Sequence, residues 1–178
     1  NMSRLESGFL EPKKDWCDVG ELIYSSVHAI EEDGIAQKIT INISPDLPLF
    51  MLDKGMLEQV VNNLLLNAAQ YTSTERKIDI MAICYTDVLN ISVEDNGNGF
   101  PAGEIANVFD KFYRLKNTRA GGTGLGLSIV KGYTEALGGT VTLENVKPHG
   151  ARFTLQIPAK TSYLKNLKNE ICCPLQIF

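Results

Sequence analysis

Late in the chain, Gly121–Leu127 reads G-G-T-G-L-G-L, and Leu127, Ile129 and Val130 continue it with the apolar spacing of a helix. Gly122, Gly124 and Gly126 alternate and feed that helix directly, which leaves few folds open. The backbone there turns without a Cβ in its way and then presents the unpaired N–H groups of a helix start. Such a turn cradles phosphate oxygens. A Walker loop needs G-K-[ST] after its glycines, and none follows here. A dinucleotide unit carries its glycines near the start of a βαβ element, with an acidic residue about twenty positions on. This run instead comes late and follows a long aperiodic stretch. Taken alone, it is also compatible with glycine-rich flexibility that serves no ligand.

Upstream, the pattern alternates between helix and strand. Asp18 is placed to cap a helix with Glu21 as its reciprocal partner, and Leu22, Ile23, Val27 and Ile30 form its apolar stripe up to Gly34. A short strand is expected in the connector Lys13–Val19. Ile39, Ile41 and Ile43 alternate as in a half-buried strand, and Pro45 and Pro48 bound the turn after it. Asp53 or Lys54 opens a second helix with a broad buried face from Met56 to Ala68. Two strands, Ile78–Cys84 and Val88–Glu94, flank a tight hairpin at Tyr85–Asp87. A short helix at Glu104–Val108, a loop at Phe112–Gly124, a helix from Gly124 to Leu137 and strands at Thr140–Asn145 and Arg152–Ile157 complete the series. This order predicts an α/β fold, a mixed sheet with helices on one face.

With 178 residues, 44% of them apolar, the chain is long enough for one domain with a substantial core. Its formal net charge of −4 gives no support to nucleic-acid binding, which concentrates basic residues on one face. The spacing of Cys17, Cys84, Cys172 and Cys173 fits neither a zinc site nor a disulfide framework, and a reducing compartment is the simpler expectation. No apolar run is long enough to span a bilayer.

Three further clusters carry chemistry. Asn63 and Asn67 stand four apart on one helix face, with Gln59 and Gln70 near the same stripe. An amide oxygen is a hard ligand for magnesium, and asparagine is a weak helix former inside an apolar helix. A polar face with amides bonded to backbone is an equal alternative on these residues alone. Asp95-Asn96-Gly97-Asn98-Gly99-Phe100 combines a carboxylate, which accepts from an exocyclic amine, with glycines that let backbone approach a ligand. An ordinary turn remains open, and a calcium loop is disfavoured because the glycine comes too early and no closing glutamate follows. Phe109 and Phe112, with Tyr113 and Arg114, root a loop whose Lys111, Arg114, Lys116 and Arg119 are basic. Core aromatics and a solvated loop surface explain most of that cluster equally well.

In order, these pieces resemble the nucleotide-binding boxes of histidine kinases in the superfamily shared with Hsp90, gyrase and MutL. Gln59–Thr72 is similar to the N box, Asp95–Phe100 to the G1 box, Phe109–Arg114 (F-D-K-F-Y-R) to the F box and Gly122–Leu127 to the G2 box. The resemblance covers roughly Asp18 to Ala159. It implies the two-layer α/β sandwich of that superfamily, with ATP and Mg²⁺ bound. By the same resemblance, Asn67 coordinates Mg²⁺ and Asn63 lies close to the phosphates, both acting in catalysis. Asp95 holds the adenine amino group, and Gly97 and Gly99 let the chain pass the base. Tyr71 covers the nucleotide, and Gly122, Gly124 and Gly126 with Leu125 form the hinge and phosphate turn of a lid. Thr154 lies near the adenine floor. Gln70, Phe100, Lys111, Phe112, Arg114, Thr123 and Leu127 complete the implied nucleotide contacts.

Two departures matter. Gln70 stands where the family often has a basic residue, which shifts phosphate binding toward Lys111, Arg114 or Arg119 and leaves open a degenerate module that only contacts partners. Asn63 stands where the superfamily's hydrolases carry a glutamate, which favours a kinase over an ATP-hydrolysing switch. His28 and His149 lack the H-E-x-x-x-P surroundings of a phosphoacceptor. The resemblance therefore implies residues 1–11 as the end of a dimerisation and phosphoacceptor helix, 12–160 as the ATP-binding catalytic domain and 161–178 as a tail. The tail is open between a packed strand, a partner contact and a foreign segment. The implied partners are the chain's own dimerisation domain and a response regulator, in a homodimeric sensor whose catalytic domain is cytoplasmic and whose remainder sits in the cell membrane. D-K-F-Y-R further resembles the potassium-responsive group of sensor kinases.

Overall fold

Each helix begins where the sequence supplies an acceptor or a glycine for its first turn. Asp18 Oδ1 accepts from Glu21 N at 2.9 Å and starts α1 (Val19–Glu32). Asp53 Oδ1 accepts from Met56 N at 3.0 Å and starts α2 (Lys54–Tyr71). The carboxylate of Asp53 also accepts from Lys13 N at 2.7 Å, which ties the entering chain to that helix. α3 (Gly126–Ala136) starts two residues later and ends one earlier than the glycine pattern predicts. It stops at Gly138, whose φ of +80° suits glycine, with Gly139 N bonded back to Thr134 O.

The computed structural model describes residues 11–71, 73, 75, 77–113 and 124–163, and the Tyr71 side chain is not among them. Its strands are β1 (Asp15–Cys17), β2 (Lys38–Ile43), β3 (Leu49–Leu52), β4 (Lys77–Tyr85), β5 (Val88–Asp95), β6 (Thr140–Asn145), β7 (Ala151–Pro158) and β8 (Thr161–Ser162). Five of them form one mixed sheet in the order β2-β4-β5-β7-β6, parallel between β2 and β4 and antiparallel elsewhere. The β4–β5 hairpin turns through Thr86 and Asp87, both at positive φ, as a two-residue connection requires.

Alternation assigns the two faces of this sheet. Ile78, Ile80, Leu89, Ile91, Val93, Phe153, Leu155 and Ile157 are buried against the helices, where Leu57, Leu64 and Leu65 of α2 meet them. Each such aliphatic side chain contributes roughly 1.5–3 kcal/mol by leaving water. Met81, Ile83 and Tyr85 point to the other face and remain exposed. The arrangement is the expected sandwich, with a mixed sheet on one side and helices on the other.

Two strands went unforeseen. Leu49–Leu52 (L-F-M-L) is only four residues long and has no polar alternation, yet β3 pairs with β1 and β8 in a second, three-stranded sheet. β8 is held at the far end by Thr161 Oγ1, which donates to Asp87 Oδ1 at 2.5 Å. The segment Glu104–Val108 is a single 3₁₀ turn at Ile105–Asn107.

Candidate functional site

α2 carries the first part of the site. Val60, Val61, Leu64, Leu65 and Ala68 face the core, and Asn63 and Asn67 stand half-buried beside them on one flank. Asn63 Nδ2 donates to Gln59 O at 2.7 Å within its own helix, which fixes the amide plane. Its Oδ1 points at the first residue of α3: a Cβ added to Gly126 would sit 3.1 Å from it. The N and G2 boxes, more than sixty positions apart in sequence, therefore meet in space.

That meeting point is an open helix start. Leu125 occupies the N-cap of α3, and its apolar side chain contributes no hydrogen bond there. The N-terminal N–H groups and the positive end of the helix dipole suit an anion at this place. Ser128 Oγ donates to Leu125 O at 2.9 Å and steadies the turn. Leu125, Gly126 and Leu127 are half-buried in it.

The last turn of α2 is pinned from outside. Gln37, buried in the loop before β2, donates from Nε2 to Ala69 O at 2.9 Å. Asn67, Gln70 and Tyr71 are all on this turn, with the Gln70 side chain exposed. Gln37 was not singled out from sequence, because a lone glutamine in a polar loop carries no pattern.

Asp95 ends β5 on the inner face and is buried. Its Oδ1 accepts from Gly97 N at 2.7 Å, which bends the chain around the carboxylate. Asn96 continues the sheet edge instead of entering the site, accepting from Lys77 N through Oδ1 at 2.9 Å. Gly99 adopts φ +71°, a left-handed conformation that the tight path requires. The Phe100 ring is buried edge-on to Phe153 at 6.0 Å, and Phe109 meets Phe153 from another side at 6.1 Å. The F and G1 boxes thus share one aromatic anchor on β7.

The loop after Phe109 has joined roots. Phe112 N donates to Gly124 O at 3.0 Å, and both residues have positive φ. Phe112 is 71% exposed despite that fixed backbone, an unusual combination for a non-glycine residue and one that clusters at functional loops. The Tyr113 hydroxyl bonds the Glu104 carboxylate. Lys111 is exposed beside them. Arg114, Gly122 and Thr123 lie outside the described residues, as do Lys116 and Arg119.

Thr154 requires a correction. In the β5–β7 register Asp95 faces Ala151, and Thr154 faces Ser92. A period of two puts Thr154 on the outer face of the sheet, away from Asp95, so it does not line a floor beneath a base held there. Ala151 occupies the inner position that the expectation required. On that outer face Arg152 bridges Glu94 at 2.7 Å and Glu144 at 3.0 Å, and the bond to Glu94 is the main cause of its raised pKa. His28 is exposed and pairs with Glu32 at 3.3 Å, and His149 is exposed and contacts Asn96 O.

Comparison with known proteins agrees with this geometry. The pattern of the family described as "Histidine kinase-, DNA gyrase B-, and HSP90-like ATPase" matches residues 52–161. The Sensor protein KdpD of Escherichia coli is 34% identical over 91% of this chain and 18% of its own length. The alginate biosynthesis sensor protein KinB of Pseudomonas aeruginosa is 30% identical over 89% of this chain and 27% of its own. The chain thus spans about a fifth to a quarter of these relatives. Among solved structures, full-length ShkA in complex with AMPPNP superposes with a TM-score of 0.78 at 26% identity, over 90% of this chain and 34% of that one. A catalytic domain of the histidine kinase ThkA gives 0.73 at 27% identity, over 83% of this chain and 98% of that one. The chain belongs to the histidine kinase-, DNA gyrase B- and HSP90-like ATPase family, as a catalytic ATP-binding domain homologous to those of sensor histidine kinases.

Proposed function

We propose that the chain transfers the γ-phosphoryl group of Mg-ATP to a histidine on its own dimerisation domain, in a homodimeric sensor that then serves a response regulator. The observation that carries this reading is the approach of Asn63 Oδ1 to Gly126 at the uncapped start of α3. It sets an amide oxygen from one helix against backbone donors from another, part of the donor set that a metal-bound triphosphate needs. Magnesium, when bound, offsets the negative charge shared by the phosphates. Asn67 is the residue assigned to it, and Asn63 borders the phosphates. Asp95 accepts from the adenine amino group, a donor that suits a buried carboxylate, which when ionised only accepts. Gly97 and Gly99 give the base room. Gln70, Tyr71, Phe100, Lys111, Phe112, Arg114 and the G2 residues from Gly122 to Leu127 complete the nucleotide contacts.

The residues position and neutralise, which is most of what a loose phosphoryl-transfer transition state asks. Asn63 offers no carboxylate to activate water, and an imidazole needs no such activation. That favours transfer over hydrolysis.

The domain limits 1–11, 12–160 and 161–178 belong to the same proposal. So do a cytoplasmic position beside a membrane sensor and membership of the potassium-responsive group, which rests on D-K-F-Y-R at Asp110–Arg114. Among the described residues, no helix is long and apolar enough to cross a membrane. The test is Asn67→Ala in the full-length protein. Autophosphorylation from labelled ATP is expected to disappear while the circular dichroism spectrum stays unchanged. An active Asn67→Ala protein refutes the metal assignment.

A further inference from the structure

We infer that Asn145 is a positioning residue for the base-binding loop and sets the preference of the site for an amino-bearing purine. The inference rests on the reading of Asp95 given above. Asn145 is the last residue of β6, faces Ala151 in the register, and through Ala151 stands in one row with Asp95. Its side chain grips the loop that follows Asp95 by both ends of its amide. Oδ1 accepts from Phe100 N at 2.8 Å, and Nδ2 donates to Phe100 O at 2.7 Å. An amide has one acceptor end and one donor end, so this pair of bonds fixes its orientation and mimics a rung of sheet ladder.

The fit extends to the neighbouring residues. A Cβ at Gly99 would come within 2.6 Å of Asn145 Oδ1 and 3.0 Å of Gly150 O, so the loop is pressed against the β6–β7 turn. A Cβ at Gly150 would lie only 2.0 Å from Asp95 O. Val146 N donates to Gly150 O at 3.0 Å and closes that turn, and His149 Nδ1 donates to Asn96 O at 2.8 Å. The hairpin end is therefore moulded to the backbone on both sides of Gly97.

Asn145 bonds the backbone of Phe100, a residue of the assigned site, and has no assigned contact with the nucleotide itself. Its effect runs through the backbone of Asp95–Phe100, which must stay still for one carboxylate to distinguish an exocyclic amine from a carbonyl at the same ring position. Loss of the grip lets Gly97–Gly99 move relative to Asp95. Recognition of the base then weakens more than recognition of the phosphates, which are held by α2 and α3.

The experiment is calorimetric titration of this 178-residue chain with Mg-ATP and with Mg-GTP. The chains compared are the unaltered one, Asn145→Leu, Asn145→Asp and Asp95→Asn. Asn145→Leu, nearly isosteric, is expected to weaken ATP about tenfold or more and GTP much less, so that the ATP-over-GTP preference shrinks. Asn145→Asp keeps the acceptor for Phe100 N and loses the donor to Phe100 O, so it is expected to fall between. If Asn145→Leu does not melt cooperatively, Asn145→Asp decides by the same criterion. Equal losses for ATP and GTP, or ATP affinity within twofold of the unaltered chain, overturn the inference. If Asp95→Asn weakens ATP while the Asn145 variants do not, only the role of Asn145 falls. If Asp95→Asn itself binds ATP unaltered, the reading of Asp95 falls and takes this inference with it.

Discussion

Asp95→Asn separates the bond that Asp95 makes to Gly97 from the adenine contact proposed for it. The residue is 6% exposed, so its hydrogen bonds form out of competition with water. Its Oδ1 holds Gly97 N at 2.7 Å. Asparagine preserves that bond by turning its amide oxygen to Gly97, which leaves the amide NH₂ facing the base. Two donors would then face each other where the proposal has a carboxylate accepting from an amine. A hydrogen bond to a charged group contributes about 1.5–3 kcal/mol, so ATP affinity is expected to fall roughly 10- to 100-fold. Thermal stability is expected to fall less than in Asp95→Ala, because the Gly97 bond survives. Asp95→Ala is the contrast. It also strands the buried Gly97 N–H at a cost of about 1–3 kcal/mol, which lowers the midpoint by roughly 2–10 °C for a domain of this size. Calorimetry with Mg-ATP and melting by circular dichroism measure the two quantities. Unchanged ATP affinity in a fully folded Asp95→Asn chain would falsify the assignment of Asp95 to the base.

Other outcomes follow from the packing. Gly124→Ala puts a Cβ 3.1 Å from the Phe112 backbone at φ +71°; a destabilisation of about 1–2 kcal/mol is expected in urea unfolding, and none would show that the loop roots relax freely. Leu65→Ala, fully buried between α2 and the sheet, should cost about 2–5 kcal/mol in the same assay, and a loss under 1 kcal/mol would contradict the core described here. Gln37→Leu removes the donor to Ala69 O and should weaken Mg-ATP binding through the last turn of α2 by several-fold; unaltered affinity would confine Gln37 to a structural role. Burial pushes the Cys17 thiol up to about 11 from 9.0. Its neutral form is favoured by folding, so that share of stability is complete below pH 9 and is lost as pH rises through about 11. A Cys17→Ala chain should show a shallower stability decline across that window, and an identical decline would remove Cys17 as a cause.

Much of the fold was legible because it depends on local rules. Asp18 and Asp53 cap helices through their own side chains, Gly34 and Gly138 stop them at positive φ, and Ile39–Ile43 alternates as a strand must. β3 was hidden because Leu49–Leu52 gains its identity only from β1 and β8, which lie far off in sequence. The boxes of the site could be read because each has a compact residue pattern. Thr154 was misplaced because a motif gives an order of residues and not the face of the sheet to which each points. Asn145 and Gln37 left no trace, since a single amide acquires meaning only from the backbone groups that folding brings to it.

The bond between Phe112 N and Gly124 O joins two residues twelve positions apart. Changing the length of a span joined at its ends is thermodynamically cheap: each doubling adds only about 0.6 kcal/mol of closure entropy. A longer or shorter span between these two ends is therefore expected to change the stability of the domain by only a few tenths of a kcal/mol.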